Sequence, residues 1–242
     1  LRHLYDLGFL GPEVSCAHGV WLTDQDIDLL AETGTVICHN ASSNLRLKSG
    51  IAPVNRMLEK DVTVAIGIDE AGINDDNDIL QEMRLAQKIH REPGISSRSP
   101  TSHQVFELNT VNGSKVTFFE DQIGTLEPGK RADLVLINMD RIEEPYLHPD
   151  TDIVDALVFR GKGLDVDTVI VDGDVLLRNK VFEHLDKADV TARFKDSLAR
   201  PLTEREISRG ALSRQLMPSI EKWFSAWPLE TGDPHYTYNL AG

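Results

Sequence analysis

Three short apolar segments, each followed by a helical pattern, constrain the fold more than any other feature of this sequence. They are VSCAH (14–18), TVICH (35–39) and VTVAIGID (62–69). Between the first two, Thr23 is a candidate helix N-cap and Gly34 a candidate C-terminal stop. Further helices are predicted near 51–60 and 77–92. Strands that alternate with helices predict successive βα units and a parallel sheet, so the fold class is α/β. The pattern suits either an open doubly wound sheet or part of a barrel.

Strand patterns of a different kind follow a predicted short helix at 102–113. The segment IGTLEPGKRADLVLI has Pro128 and Gly129 where a type II turn favours them. The segment VDTVIVDGDVLLRN places Asp172-Gly173 between two apolar runs, which is a strong signal for a β-hairpin. We therefore predict a small antiparallel module in this part of the chain.

The remainder of the chain is predicted to be helical. One helix is expected at 186–200, and a second begins at Thr203, which forms a capping box with Glu206. Pro218 is expected to kink or divide this second helix, because proline cannot donate the intrahelical hydrogen bond. The last residues, from Pro228, are expected to be an irregular tail.

Polar residues close the three apolar segments. His18 ends the first, His39 the second and Asp69 the third. Because the carboxyl ends of parallel strands open on the same side, we expect the three side chains to converge. Two imidazoles and a carboxylate can bind a transition metal or transfer protons. The alternative is structural, since a single histidine at a strand end is more often hydrogen-bonded in place than a ligand.

Cys16 and Cys38 raise a rival possibility. With His18 and His39 they have the residue types of a Cys2His2 zinc centre, but adjacent residues on a strand point to opposite faces, so Cys38 and His39 diverge. The simpler interpretation is that both cysteines are small, buried, apolar side chains. The other six histidines are not expected to form a functional cluster: His3, His90, His103, His148, His184 and His235. Motifs of serine hydrolases, P-loop proteins and dinucleotide-binding proteins are not present in the sequence.

Charge and composition exclude several classes of partner. The sequence has 25 Lys plus Arg against 39 Asp plus Glu, a net charge of −14, which disfavours nucleic acid. No segment has the roughly 18 to 20 apolar residues of a membrane span, so no membrane association is expected. Two cysteines are too few for a disulfide framework, which favours a reducing, cytoplasmic location.

The stretch AHGVWLTDQDIDLLAETGTVICHNASSNLRLKSGIAPVNRMLEKDVTVAIGIDEAGINDDNDILQEMRLA carries a specific resemblance. Its Ala-His pair, its HNASSNLRLKSGIAPV segment and its Gly-x-Asp strand occur in the order found in the amidohydrolase superfamily. The resembling subgroup holds adenosyl-type, guanine and cytosine deaminases with the s-triazine amino- and chlorohydrolases. The segments 123–137 and 166–176 resemble that family's accessory β-sandwich, so the likeness covers about residues 8–180.

This resemblance implies a fold and a site. The three apolar segments would be strands six to eight of a TIM-like (β/α)8 barrel. Asp69 would be the final metal ligand and the base that takes a proton from water, and His18 would be a second catalytic residue beside that water. His39 and Asn44 would lie in or near the substrate pocket. The cofactor would be one divalent ion, Zn or Fe.

The sequence departs from the family pattern in three places. The first-strand HxH pair and the fifth-strand HxxE motif have no counterpart, and the HLYD segment at His3 is too close to His18 to be that motif. A complete barrel takes roughly 250 residues, whereas about 115 precede the predicted sandwich. Glu70 replaces the small residue that usually follows the catalytic aspartate, which would favour a cationic or amino-bearing substrate.

We therefore expect the carboxy-terminal part of a metal-dependent hydrolase that replaces an amino or related group on a nitrogen heterocycle. Its predicted parts are the barrel strands (1–115), the sandwich module (116–185) and the C-terminal helices and tail (186–242). The isolated chain is expected to be inactive and to hold metal weakly or not at all, and the full-length parent to be a homo-oligomer. The alternatives are one half of a two-chain enzyme, or a non-catalytic remnant that serves as a folded binding or assembly module.

Overall fold

The computed structural model describes residues 1–74, 76–95 and 99–226. These divide into two compact units, of which the first is Leu1–Glu183 and the second begins at His184. The three predicted parts do not share these limits, and their boundaries remain a prediction.

A three-stranded parallel sheet forms the centre of the first unit. Its strands are β1 (Ser15–Ala17), β2 (Val36–His39) and β3 (Val64–Ile66), in the order β1-β2-β3. Cys16 lies opposite Ile37, and Ile37 lies opposite Val64. The predicted run of βα units and the α/β class are confirmed by this sheet.

Ten helices of the first unit lie among the described residues. They are α1 (Arg2–Asp6), α2 (Asp24–Thr33), α3 (Ala41–Arg46), α4 (Val54–Glu59), α5 (Ala71–Asn74), α6 (Ile79–Ile89), α7 (Ser102–Asn109), α8 (Val111–Val116), α9 (Asp140–Glu143) and α10 (Ile153–Arg160). Thr23 forms a capping box with Asp26 at the start of α2, and Gly34 ends α2 in the left-handed conformation with φ 71°, as predicted.

Two features of these helices correct the sequence-based prediction. The single helix expected at 102–113 is two helices, because the chain breaks at Thr110, whose ψ is −79°. Helix α10 was not predicted, although it buries Ala156 and Val158 and packs against α6 and α7. Arg84 of α6 fixes this contact by donating from Nε to the Val158 carbonyl at 2.9 Å.

The core lies between the parallel sheet and its helices. Ile37 and Val64 of the strands, Leu30 of α2, Met57 of α4 and Met83 of α6 are each fully or almost fully removed from solvent. Apolar burial of this kind supplies most of the favourable free energy of folding, at about 25 cal/mol per Å². The core therefore holds the strand ends, and whatever they carry, in fixed positions.

A second sheet is antiparallel and contains four strands in sequence order. They are β4 (Leu134–Ile137), β5 (Val166–Val171), β6 (Asp174–Arg178) and β7 (Val181–Phe182). The hairpin at Asp172-Gly173 is confirmed, with φ of 51° and 85° at the two turn residues. Gly129 also has the positive φ, 97°, that the predicted type II turn requires. The structure thus shows one sheet here, and its pairing with a second layer as a sandwich remains a prediction.

The second unit contains two described helices, α11 (Lys187–Ala199) and α12 (Glu204–Ser225). The capping box of Thr203 and Glu206 begins α12, as predicted. Helix α12 continues through Pro218, so the prediction that this proline could divide the helix is wrong. The predicted tail from Pro228, with His235, lies outside the described residues. Among the residues that are described, none of the helices has the length and apolar character needed to cross a membrane.

Candidate active site at the strand ends

The three strand ends meet at one edge of the parallel sheet. His18 follows β1, and its backbone N–H donates to the Cys38 carbonyl of β2 at 2.8 Å. Gly67 follows β3, and its N–H donates to the His39 carbonyl at 3.0 Å. These two bonds extend the ladder beyond the strands and bring their carboxyl ends side by side.

His18 and Asp69 are brought together at this edge. His18 Nε2 lies 3.7 Å from Asp69 Oδ2, and both side chains are partly exposed to solvent. Both residues have a left-handed backbone, with φ of 71° for His18 and 63° for Asp69. Such a conformation costs a residue other than glycine about 1 kcal/mol or more and is enriched at functional sites. The predicted convergence of the first and third strand ends is therefore present.

Helix α3 supplies two contacts that orient this pair. Asn44 Oδ1 lies 2.8 Å from His18 Nδ1. Because an amide oxygen can only accept, this contact places a proton on Nδ1 and turns Nε2 toward Asp69. Asn44 is buried, and its Nδ2 has no hydrogen-bond partner within the described part of the chain. Asn44 thus lies beside His18, and its substrate-binding role remains a prediction.

The second contact was not predicted. The buried Ser43 hydroxyl donates to Asp69 Oδ2 at 2.6 Å, and the Glu70 N–H donates to Asp69 Oδ1 at 2.8 Å. The hydrogen bond from Ser43 is the main reason that the pKa of Asp69 lies below its ordinary value. The position of Ser43 in a polar segment directly after the second strand end was the available signal, but helix α3 itself was not recognised.

His39 occupies a different environment from the other two strand-end residues. It is 1% exposed, and its Nε2 lies 3.0 Å from Nε2 of His90, which follows α6. Burial lowers the pKa of His39 to about 4 and that of His90 to about 3. The sequence did not predict this buried pair, and whether His90 has a functional role is not decided by it. A substrate-binding role for His39 remains a prediction.

Glu70 is exposed at the rim of the site, next to Asp69. Its backbone N–H donates to the Asp69 carboxylate, and its side chain is exposed to solvent. This placement leaves the carboxylate available to a solvent-borne group. Its selection of an amino-bearing substrate remains a prediction.

The donors at this edge of the sheet are fewer than a catalytic metal ion requires. His18 and Asp69 offer two donors, and the described residues contain no group of three or more His, Cys, Asp or Glu side chains placed to hold a metal. A catalytic zinc normally has three protein ligands. Both cysteines are free thiols, and burial raises the pKa of each. The described residues therefore fit neither a complete catalytic zinc site nor the rival Cys2His2 centre.

Known deaminases and hydrolases are similar to this chain in sequence and in structure. The family model described as the amidohydrolase family matches residues 1–176. A 5′-deoxyadenosine deaminase from Methanosarcina acetivorans is 43% identical over 179 residues, covering 73% of this chain and 40% of that protein. A 5-methylthioadenosine/S-adenosylhomocysteine deaminase from Caldanaerobacter subterraneus is 37% identical, covering 77% of this chain and 42% of that protein.

Solved structures of a deaminase and a chlorohydrolase are also similar to this chain. An adenosine deaminase from Xanthomonas campestris with bound zinc superposes with a TM-score of 0.73 at 27% identity, covering 81% of this chain and 44% of that one. An atrazine chlorohydrolase from Arthrobacter aurescens complexed with zinc gives 0.74 at 26% identity, covering 81% and 43%. The chain thus spans about two fifths of the length of the relatives it matches.

Proposed function

Because this chain belongs to the amidohydrolase family, we propose that it forms part of a metal-dependent hydrolase that deaminates a nitrogen heterocycle. The observation that carries the proposal is the His18–Asp69 pair, with Nε2 and Oδ2 3.7 Å apart at the carboxyl edge of the parallel strands. In barrels and other α/β folds this edge is where active sites are built. The pair lies within the part of the chain that the family model covers.

The residues of this chain have defined tasks in such a reaction. Water adds to the ring carbon that bears the amino group, the C–N bond breaks, and ammonia leaves with a proton that the water gave up. Asp69 is a carboxylate that can accept the proton and return it to the leaving nitrogen. His18, with its proton held on Nδ1 by Asn44, presents Nε2 as a hydrogen-bond acceptor for the same water.

Zinc is the metal that we propose for the whole protein, with iron as the alternative, because the two solved relatives described above contain zinc. A bound zinc ion would lower the pKa of water toward neutrality. Asp69 is the ligand that this chain would contribute. Since the described residues do not complete a zinc site, the other ligands would come from elsewhere in the whole protein.

The substrate class follows from the relatives and the site. The sequence relatives named above are a 5′-deoxyadenosine deaminase and a 5-methylthioadenosine/S-adenosylhomocysteine deaminase, so we propose an adenine nucleoside that is modified at its 5′ position. The unpartnered Nδ2 of buried Asn44 supports a substrate or solvent contact at that position. The exposed carboxylate of Glu70 favours a ligand that carries hydrogen-bond donors.

The test is deamination by the whole protein that contains this chain, loaded with zinc. We expect ammonia release from 5′-deoxyadenosine or 5′-methylthioadenosine and loss of that activity in Asp69→Asn. Asp121→Asn is the matched control, because Asp121 is an exposed aspartate outside the site. Equal activity of Asp69→Asn and the wild type would refute the role of Asp69. A whole protein inactive on adenine nucleosides, guanine and triazines alike would favour the non-catalytic module, and sedimentation of the same sample tests the expected homo-oligomer.

A further inference from the structure

Glu82 is a buried carboxylate to which the proposed chemistry gives no task. It lies on α6 and is 2% exposed. Burial raises the pKa of Glu82, since removal from water penalises the charged form. A carboxylate is retained in such a place only where donors compensate for the lost hydration. Its partner therefore indicates what the residue does.

That partner is the first turn of α3. Glu82 Oε1 accepts a hydrogen bond from the Ser42 N–H at 2.9 Å. The first N–H groups of a helix have no partner within the helix and need one from outside. Asn40 is the N-cap residue of α3 and a residue type suited to that role, yet its side chain makes no capping bond. Its Nδ2 donates instead to the Cys38 carbonyl at 3.3 Å. Glu82 thus caps α3 from a different element.

The two residues that follow Ser42 are those that contact the candidate site. Ser43 donates to Asp69 and Asn44 accepts from His18, at 2.6 and 2.8 Å. A hydrogen bond tolerates displacements of only a few tenths of an ångström before it weakens. The placement of the first turn of α3 therefore sets both contacts together. The N–H groups of Ala41 and Ser42 and the Ser42 hydroxyl all favour the charged form of Glu82, so the carboxylate faces the first turn of α3 as a whole.

We propose that Glu82 is a positioning residue for the candidate active site: its buried carboxylate fixes the first turn of α3, and through that turn it holds Ser43 against Asp69 and Asn44 against His18. The catalytic consequence rests on the proposed function. The geometric part does not, because it concerns contacts within this chain.

The experiment compares Glu82→Ala and Glu82→Gln with Gln87→Ala. Gln87 is the matched control: it lies on the same helix and is 5% exposed, but its Nε2 donates to Ser102 Oγ, away from α3. Glu82→Gln keeps the size of the side chain and one acceptor oxygen, so it remains informative if Glu82→Ala does not fold. Amide hydrogen exchange of Ser42, Ser43 and Asn44 and the ring ¹⁵N shifts of His18 are measured by NMR on the 242-residue chain.

For Glu82→Ala we expect exchange in the first turn of α3 to accelerate about tenfold relative to the rest of the core, with a change in the His18 ring shifts. Glu82→Gln should show the same changes at smaller size, and Gln87→Ala should show neither. If exchange in α3 rises only in step with the whole core, or as much in Gln87→Ala, the positioning role is refuted.

The whole protein supplies the catalytic half of the test. There Glu82→Gln should lower kcat about tenfold at unchanged KM, because the acting groups are misplaced while substrate contacts remain. An active whole protein whose kcat is unaffected by Glu82→Gln would refute the role. An inactive unsubstituted protein would count against the proposed function, and the exchange experiment would then decide the geometric part alone.

Discussion

The Ser43 hydroxyl donates a hydrogen bond of 2.6 Å to Asp69 Oδ2. Ser43 lies in helix α3 and is buried, so the position of its hydroxyl is fixed. Ser43 is completely removed from solvent. A donor that is fixed in this way orients one carboxylate oxygen and stabilises the charged form, so the Asp69 carboxylate is held in a single arrangement before a substrate arrives.

Ser43→Ala should therefore lower the activity of the whole protein without unfolding it. A hydrogen bond to a charged group contributes about 1.5–3 kcal/mol, which corresponds to a loss of roughly 10- to 100-fold in kcat/KM. Ser114→Ala is the matched control, since Ser114 is a buried serine of helix α8 whose hydroxyl donates to the Val111 carbonyl and contacts neither His18 nor Asp69. Steady-state deamination rates of the two variants decide the matter. Equal losses of kcat/KM in the two variants would show that the Ser43–Asp69 hydrogen bond does not contribute to catalysis.

Gly67 is the position in the third strand end where a side chain has least room. A Cβ at this position would lie 2.6 Å from Asn40 Oδ1 and 2.7 Å from Cys38 Sγ. We expect Gly67→Ala to lower the free energy of unfolding by about 1–3 kcal/mol through overpacking. Gly113→Ala should instead raise it by about 0.5–1 kcal/mol, because Gly113 is in helix α8 with open space around it. Thermal unfolding of the chain measures both, and equal stability of Gly67→Ala and the wild type would contradict the packing argument.

The pairs His18–Asp69 and His39–His90 show how far the sequence could predict this site. Strand ends are visible in a sequence because parallel strands have continuous apolar runs, so His18 and Asp69 could be brought together from their positions alone. His39 and His90 are joined by packing of α6 against the sheet, and no local pattern encodes the distance between two elements that far apart in the chain. Helix α3 was missed because its six residues make less than two turns and show no apolar period.

Zinc binding by the chain itself provides a further prediction. With two donors at the site, the 242-residue chain should bind zinc weakly, well below the affinity of a site with three protein ligands. Equilibrium dialysis against zinc, with Asp69→Asn beside the wild type and Asp121→Asn as control, measures this. Stoichiometric tight binding that Asp69→Asn abolishes would mean that the chain forms a complete site, and the expectation that ligands come from elsewhere would be wrong.

The buried pair of His39 and His90 makes stability depend on pH. Unfolded histidine titrates near 6.5, whereas burial lowers the pKa of His39 to about 4 and that of His90 to about 3. Between these values the unfolded chain binds more protons than the folded one, so stability is present above pH 6.5 and is lost as the pH falls toward 4. Electrostatic interaction with His18 lowers the pKa of His39 further. The expected slope is of the order of 1 kcal/mol per pH unit for each histidine.

The measurement is the unfolding midpoint at pH 5, 6 and 7 for the wild type and for the double variant His39→Gln/His90→Gln. Glutamine pairs can keep a hydrogen bond and do not titrate, so the double variant should lose less stability than the wild type between pH 7 and 5, whatever its stability at neutral pH. His3→Gln is the control, because His3 is exposed on α1 and its removal should leave the slope unchanged. Parallel slopes in the wild type and the double variant would show that carboxylates alone cause the acid sensitivity, and that the buried pair is protonated at little cost.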